Sequence, residues 1–358
     1  MLSWLFVLLA ATGATDLFPR GLAPIDAGAA DKLRAVTCIG CHMDVNVDWG
    51  HSRHAKAWTN AIFQREFRDR PLDWCVHCHA PLAEQFAEVK RGGGALADEG
   101  VNCAVCHIRG GRVLARRKGP ASPHDTDVRA DYGGPAFCAG CHQFNFPVIA
   151  PDPDGKGPGR VTGYTEHPMQ DTVAQHARGP HASKECLGCH HAGATGHLFP
   201  GGHDNDMIGH AIRMDACRDS KGLVVSLANT GAGHNVPTGD LHRHLVLRAW
   251  RASAPEALQE VTLGRRFEPA PEGGKRTTAD TSIPPGQTRR VKLPVVAAAA
   301  ATATATATAA KEPISLELRL VYTIDEFPFK GRALGEPTFA TMITRDVDWA
   351  TMRRCAAR

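Results

Sequence analysis

The chain has 358 residues, of which 43% are hydrophobic and 22% are charged, which excludes an intrinsically disordered protein and is typical of two globular domains. Its formal net charge is +4, and aromatic residues make up only 6%, so few large rings are available to build an apolar core. The 12 cysteines and 19 histidines are many for this length and indicate metal or cofactor chemistry.

The N-terminus carries the pattern of a secretory signal. An apolar run from Leu2 to Ala11 is followed by small residues, so we predict a signal peptide over residues 1–15. No Lys or Arg precedes Arg20, which leaves a buried N-terminal helix as the alternative. The run is shorter than the roughly 20 residues that span a bilayer. We therefore expect the mature chain in the periplasm or outside the cell.

One motif, C-x-x-C-H, occurs five times between residues 38 and 190. Two cysteines at this spacing can bond the two vinyl groups of one haem, and the next histidine then lies beneath the iron. Zinc sites and redox-active disulfides also use paired cysteines, but they do not require this histidine. The sequence predicts five c-type haems, attached at Cys38, Cys41, Cys75, Cys78, Cys103, Cys106, Cys138, Cys141, Cys186 and Cys189, with His42, His79, His107, His142 and His190 as proximal iron ligands.

The region around these motifs, residues 30–215, reads as one pentahaem cytochrome c domain. Because haems are large apolar plates, they can replace side chains as the filling of the core. We predict a loop-rich, mostly α domain with short helices around each motif, consistent with its many Gly and Pro residues. A further helix is predicted from His203 to Met214.

Several short runs near the motifs carry a family resemblance. They are Trp49-Gly50-His51-Ser52-Arg53-His54-Ala55, Cys78-His79-Ala80-Pro81-Leu82, Gly100-Val101-Asn102-Cys103, Cys141-His142-Gln143-Phe144, His197-Leu198-Phe199-Pro200-Gly201-Gly202-His203-Asp204 and Gly233-His234-Asn235-Val236-Pro237-Thr238-Gly239. Together they resemble multihaem cytochromes related to the tetrahaem electron carrier of ammonia-oxidising bacteria. The resemblance covers most of residues 35 to 250.

The resemblance also implies a set of distal iron ligands. These are His54, His124, His197 and His234, with His51 as the alternative to His54. For the fifth iron we favour His181, which lies five residues before Cys186. The alternatives for the fifth ligand are His176, His203 and the thioether of Met169.

After Gly222 the haem motifs end and short apolar or alternating segments begin. Turn residues separate them, which predicts an antiparallel β-sandwich of about seven strands over residues 222–350. The whole chain is therefore expected to be α+β. Residues 297–310 are an Ala/Thr repeat and are predicted to form a low-complexity loop. The two remaining cysteines, Cys217 and Cys355, are predicted to pair in an oxidising compartment. The predicted strand segments are Leu223–Leu227, His244–Trp250, Thr288–Val295, Ile314–Tyr322 and Thr338–Arg345.

These features favour an electron carrier. Five ferric haems would offset the positive formal charge by about five units, so the sequence does not predict nucleic-acid binding. We expect redox proteins as donor and acceptor, with a membrane-associated quinol-oxidising complex and a second copy of the chain as further candidates. The basic segment 109–118 could contact haem propionates or an acidic partner. Low-potential haems would suit anaerobic respiration. The alternatives are a haem enzyme that acts on nitrite, hydroxylamine or a sulfur compound at one open iron, and a subunit of a haem filament.

Overall fold

The computed structural model describes residues 25–28, 30–119, 122–271, 273–294, 312–322 and 338–356. The predicted signal peptide, residues 1–15, and the predicted low-complexity loop, residues 297–310, lie outside these ranges. The chain divides into two compact units, Met1–Cys141 with Glu185–Phe199 and His142–Lys184 with Pro200–Arg358. No helix in the described ranges is both long and apolar enough to cross a bilayer.

Short helices dominate the first unit. Most of them contain a C-x-x-C-H motif or lie directly beside one. They are α1 (Val36–Ile39), α2 (Met43–His51), α3 (Ala61–Asp69), α4 (Asp73–His79), α5 (Ala83–Lys90), α6 (Cys103–His107), α7 (Pro135–His142) and α9 (Leu187–His190), with α7 ending where the two units divide. A small sheet of β1 (Ile108–Arg109), β2 (Arg112–Ala115) and β3 (Thr126–Val128) completes the unit.

Two small apolar clusters form the interior of this unit. One includes Leu82, Val105 and Leu114, all with at most 1% of their surface exposed. The other packs Trp58 and Val76 against partly buried aromatic rings of α3 and α5. Burying each such side chain contributes about 1.5–3 kcal/mol. Each cluster includes a side chain from within a haem motif, Val105 in the first and Val76 in the second.

Two buried amide side chains fix the segment that leads into the third motif. The Gln85 amide donates to the carbonyl oxygens of Leu96 and Gly100 at 2.9 and 2.7 Å. Asn102 caps α6, because its side-chain oxygen accepts from the Val105 amide at 3.2 Å. Buried polar groups are stabilising when they are hydrogen-bonded in this way.

The second unit is built on two antiparallel sheets. The larger has the order β10-β9-β8-β12-β13 and the smaller the order β11-β7-β6. Burial alternates along β8, so one face of that strand packs inward and the other faces outward. The strands are β6 (Ile212–Arg218), β7 (Gly222–Asn229), β8 (His244–Arg251), β9 (Ala254–Pro269), β10 (Lys275–Asp280), β11 (Thr288–Pro294), β12 (Ile314–Val321) and β13 (Phe339–Val347). This β-sandwich, together with the helical unit, confirms the predicted α+β class.

The structure adds elements that the sequence analysis did not predict. A long hairpin of β4 (Gln143–Ala150) and β5 (Arg160–Asp171) belongs to the second unit, as do the helices α8 (Thr172–Ala177) and α10 (Asn205–Ala211). The two units therefore alternate along the chain, whereas the sequence predicted one boundary between residues 215 and 222.

The predicted helix from His203 to Met214 is wrong at both ends. Helix α10 covers only Asn205–Ala211, and the chain continues directly into β6. Ile212 and Met214 are buried on one face of that strand, opposite Asn229 and Leu227 of β7. Pairing with β7 thus outweighs the helical spacing of these apolar residues.

A disulfide joins Cys217 of β6 to Cys355 near the C-terminus, which confirms the predicted pairing. The two sulfurs are 2.08 Å apart and the residues are 138 positions apart in the chain. Backbone bonds support the bridge, since the Arg218 and Cys355 amides donate to the carbonyl oxygens of Arg353 and Arg218. The C-terminal segment is thereby fixed to the smaller sheet.

We predict that replacing both cysteines, in Cys217→Ala/Cys355→Ala, destabilises the second unit by about 2–5 kcal/mol, because a long loop in the unfolded chain is no longer closed. At about 2–4 °C per kcal/mol, thermal unfolding of the sheets, followed by circular dichroism, should occur roughly 4–20 °C lower. The exposed neighbour Arg354 supplies the control Arg354→Ser, which should leave the midpoint unchanged. Equal midpoints for wild type and the double variant would refute a stabilising disulfide.

Candidate haem-binding site

Each C-x-x-C-H motif lies on, or directly against, a turn of helix. Cys38 is in α1 and His42 follows one turn later. Helices α4, α6 and α7 each carry a complete motif, and α9 carries most of the fifth. Residues three and four apart lie on one helix face. Both cysteines and the histidine of a motif can therefore face the same macrocycle.

The structure also brings cysteines of different motifs into contact. A hydrogen bond from the Cys103 thiol lowers the pKa of Cys38 to about 6, and one from Cys138 lowers the pKa of Cys186 to about 7. In the same way, Cys141 is hydrogen-bonded to Cys78, and this contact, followed by burial, raises its pKa. The first motif thus adjoins the third, while the second and the fifth both adjoin the fourth.

Two motif histidines each lie opposite a second histidine, at a separation close to that expected across a metal ion. A metal–imidazole bond is about 2 Å long, so two rings that ligate one ion from opposite sides have centroids about 6.4 Å apart. The ring centroids of His42 and His124 are 6.1 Å apart, and those of His107 and His197 are 6.3 Å apart. Each pair combines a motif histidine with a histidine predicted as a distal ligand.

Several histidines are held so that Nε2 can face a metal. The Nδ1 atom of His79 donates to the Ala57 carbonyl at 2.7 Å, and that of His197 donates to the Thr195 carbonyl at 3.0 Å. Because a carbonyl only accepts, Nδ1 carries the proton, and this is the tautomer in which Nε2 can ligate a metal. The same contact occurs at His107 with Leu114 and at His234 with Asn235. These residues fit the ligands that an iron would require.

Burial supports this assignment at the third motif. Desolvation lowers the pKa of His107, which keeps its imidazole neutral as a metal ligand requires. The Tyr132 hydroxyl lies 2.9 Å from His107 Nδ1 and 3.2 Å from His107 Nε2, and the Tyr132 ring centroid is 5.4 Å from the His107 ring centroid. Tyr132 is thus a further side chain that orients this histidine, and the sequence analysis missed it.

The other predicted distal ligands have different surroundings. His54 is partly buried with its ring centroid 4.8 Å from Phe199, whereas the alternative His51 is exposed on α2. In the second unit, a Cβ on Gly233 would lie 3.0 Å from the His176 ring and 3.6 Å from the His181 Cβ. His176, His181 and His234 therefore converge on one turn. Which distal histidine lies across the iron from His79, from His142 and from His190 stays a prediction.

The loop that carries His197 is fixed by a carboxylate on α2. Asp48 accepts from both the amide and the hydroxyl of Thr195 at 2.7 Å, and these bonds lower its pKa. Gly193 has a φ of +86°, and a Cβ there would lie 2.6 Å from the Asp48 carboxylate. Glycine is required at this close approach. No local sequence pattern connects Asp48 with a loop 147 residues away.

Comparisons with known proteins found a family match for part of the chain and a fold match for most of it. Residues 37–108, which contain the first three motifs, match the family model described as cytochrome c554 and c-prime. The chain is similar in fold to the crystal structure of a penta-heme cytochrome c552 from Thermochromatium tepidum. The TM-score is 0.65 at 18% identity, covering 90% of this chain and 100% of that chain. No curated protein matches the chain.

The five haem motifs and the two imidazole pairs are typical of multihaem c-type cytochromes, and the matched family model covers the first three of these motifs. The recognised segment ends at residue 108, so the motifs at Cys138 and Cys186 lie beyond it. At 18% identity, the likeness to the penta-heme protein shows the fold alone.

We predict that Asp48→Ala weakens axial ligation at the third motif, since His197 loses the carboxylate that fixes its loop. Part of the iron bound there should change from low-spin to high-spin, measured by low-temperature electron paramagnetic resonance of the oxidised protein. Asp44 lies on the same helix and is exposed, so Asp44→Ala is a matched control that should keep the wild-type spectrum. An unchanged spectrum for Asp48→Ala would show that the loop does not depend on this carboxylate.

Proposed function

We propose that the chain carries five covalently attached c-type haems and transfers electrons between redox proteins outside the cytoplasm. The observation that carries this proposal is the pairing of His42 with His124 and of His107 with His197 at 6.1 and 6.3 Å. In both pairs a motif histidine lies opposite a second imidazole. Two such ligands close an iron against substrates and favour electron transfer over catalysis.

In this proposal the cysteines of the five motifs hold the haems through thioether bonds, and the five motif histidines are the proximal ligands. His124 and His197 are the distal ligands for the first and third motifs. The remaining distal ligands are His54, His181 and His234. A c-type haem supplies reversible one-electron chemistry at its iron. The protein positions the imidazoles, fixes their tautomers through Nδ1 and sets the polarity around them.

The contacts between motifs support transfer within one unit. Cys38 adjoins Cys103, and Cys106 and Cys141 pack against the same apolar cluster. Cys138 then adjoins Cys186. Within the described residues, Cys41 and Cys189 are exposed while the other attachment cysteines are partly buried. We therefore propose the first and fifth motifs as the places where partners exchange electrons.

The disulfide supports a location outside the cytoplasm. Bridges such as Cys217–Cys355 persist in oxidising compartments and are rare in the reducing cytosol. We propose the periplasm, with separate redox proteins as donor and acceptor. A quinol-oxidising complex at the membrane is one donor that suits low-potential haems, and anaerobic respiration is the setting in which they would be used.

The direct test is a haem count combined with spin-state analysis of the purified, oxidised protein. The pyridine haemochrome absorbance should give five haems per chain, and low-temperature electron paramagnetic resonance should show low-spin iron throughout. Fewer haems would refute the proposed number. A high-spin signal from about one iron in five would instead reveal an open site and favour the enzyme.

We predict that His124→Ala opens the iron of the first motif, so that about one-fifth of the total iron becomes high-spin. The reason is the loss of the imidazole that lies opposite His42. His210 is exposed and its Nδ1 bonds to the Asp206 carbonyl, so His210→Ala is the matched control and should leave all irons low-spin. If His124→Ala has the wild-type spectrum, His124 is not a ligand.

A further inference from the structure

Arg109, two residues after His107, folds its side chain back onto the helix that carries the third motif. Its guanidinium donates to the carbonyl oxygens of Ile108 at 2.6 Å, Val105 at 2.8 Å and Ala104 at 3.4 Å. These oxygens lie at the C-terminal end of α6, where a helix has unsatisfied carbonyls and a partial negative charge. Several bonds from one planar group hold the charge in a fixed place.

The other cations of the same segment are engaged differently. Arg112 pairs with Asp125 at 2.9 Å, and Arg116 pairs with Glu185 through two bonds of 2.5 and 2.6 Å. Both are about half exposed and both contact a carboxylate. Arg109 is more buried, and its hydrogen bonds named above go to neutral carbonyl groups. The segment from residue 109 to 118 is thus not one uniform basic surface.

The residues to which Arg109 donates belong to one apolar cluster, and two haem-attachment cysteines, Cys106 and Cys141, pack against that cluster. Burial lowers the pKa of Arg109. A guanidinium remains protonated even when burial is unfavourable. A positive charge is therefore kept beside Cys106 of the third motif and Cys141 of the fourth.

We infer that Arg109 raises the reduction potentials of the haems attached at the third and fourth motifs by holding a fixed positive charge near Cys106 and Cys141. The inference rests on the proposed function. Reduction adds one electron, and a nearby cation stabilises the reduced form relative to the oxidised form. At about 10 Å and an effective dielectric constant of about 20, a unit charge changes the ratio of reduced to oxidised iron by roughly tenfold. For one electron, tenfold corresponds to about 59 mV.

A purely structural cap on α6 is the competing role for Arg109, and two substitutions separate it from the electrostatic role. Arg109→Gln removes the charge but keeps an amide that can donate to a carbonyl. Arg109→Lys keeps the charge but loses the fork that bonds several carbonyls at once. An electrostatic role predicts that only the glutamine variant changes the potentials, whereas a cap predicts that both variants behave alike.

The experiment is a spectroelectrochemical titration of the full chain with its haems attached, together with the haem count for each variant. In Arg109→Gln, the midpoint of at least one haem should fall by about 59 mV, the equivalent of a tenfold change. In Arg109→Lys, the ratio of reduced to oxidised iron at each haem should stay within threefold of the wild-type ratio. Arg112→Gln, which removes an exposed cation of the same segment, should leave all midpoints unchanged.

Unchanged midpoints in Arg109→Gln would overturn the inference, as would an equal fall in both Arg109 variants. If the glutamine variant fails to take up its haems, the lysine variant tests the inference. A tenfold change in the ratio of reduced to oxidised iron in Arg109→Lys, despite the retained charge, would refute the electrostatic role. Unchanged midpoints in Arg109→Lys would support it. The wild-type haem count and reversible titration test the proposed function separately, so the failure of either idea can be recognised on its own.

Discussion

The geometry of one helical turn is the constraint on which the first unit depends. Two cysteines three residues apart and a histidine directly after them face the same side only if the backbone is helical there. That requirement explains why most helices of the unit are short and begin or end at a motif, as α6 does at Cys103 and His107. The surrounding chain is then free to be irregular, provided that its buried polar groups are bonded. Gln85 and Asn102 meet that condition before the third motif.

Ligand geometry imposes a second layer of organisation, which comes from residues distant in sequence. The imidazole of His197 is useful to an iron only if its ring is oriented, and the orientation comes from the Thr195 carbonyl. Thr195 is fixed in turn by Asp48, on a helix that follows the first motif. A residue near one motif thus positions the proposed ligand of another. Such dependence links the motifs to each other beyond the direct contacts of their cysteines.

The sequence predicts the chemistry of this protein better than its topology. The motifs, the disulfide and five of the strands follow from local patterns, because C-x-x-C-H, leftover cysteines and alternating apolar residues are readable in short windows. The strand β9 has no such pattern, since its 16 residues mix exposed and buried positions irregularly. The sequence does not predict the hairpin β4–β5, because haem motifs lie on both sides of it and its residues are therefore assigned to the haem domain. The end of α10 was misplaced because pairing with β7 is a long-range effect.

Tyr132 and Arg109 show why site residues outside the motif escape a reading of the sequence. Neither belongs to a motif, and each acts through atoms that only the fold brings near, namely the ring of His107 and the end of α6. A basic segment is normally read as solvated surface. In this protein one member of that segment folds inward while its neighbours form ion pairs. The polarity near a haem motif therefore depends on which side chains fold back onto the helix that carries the motif. The number of charged residues in the segment does not show which side chains these are.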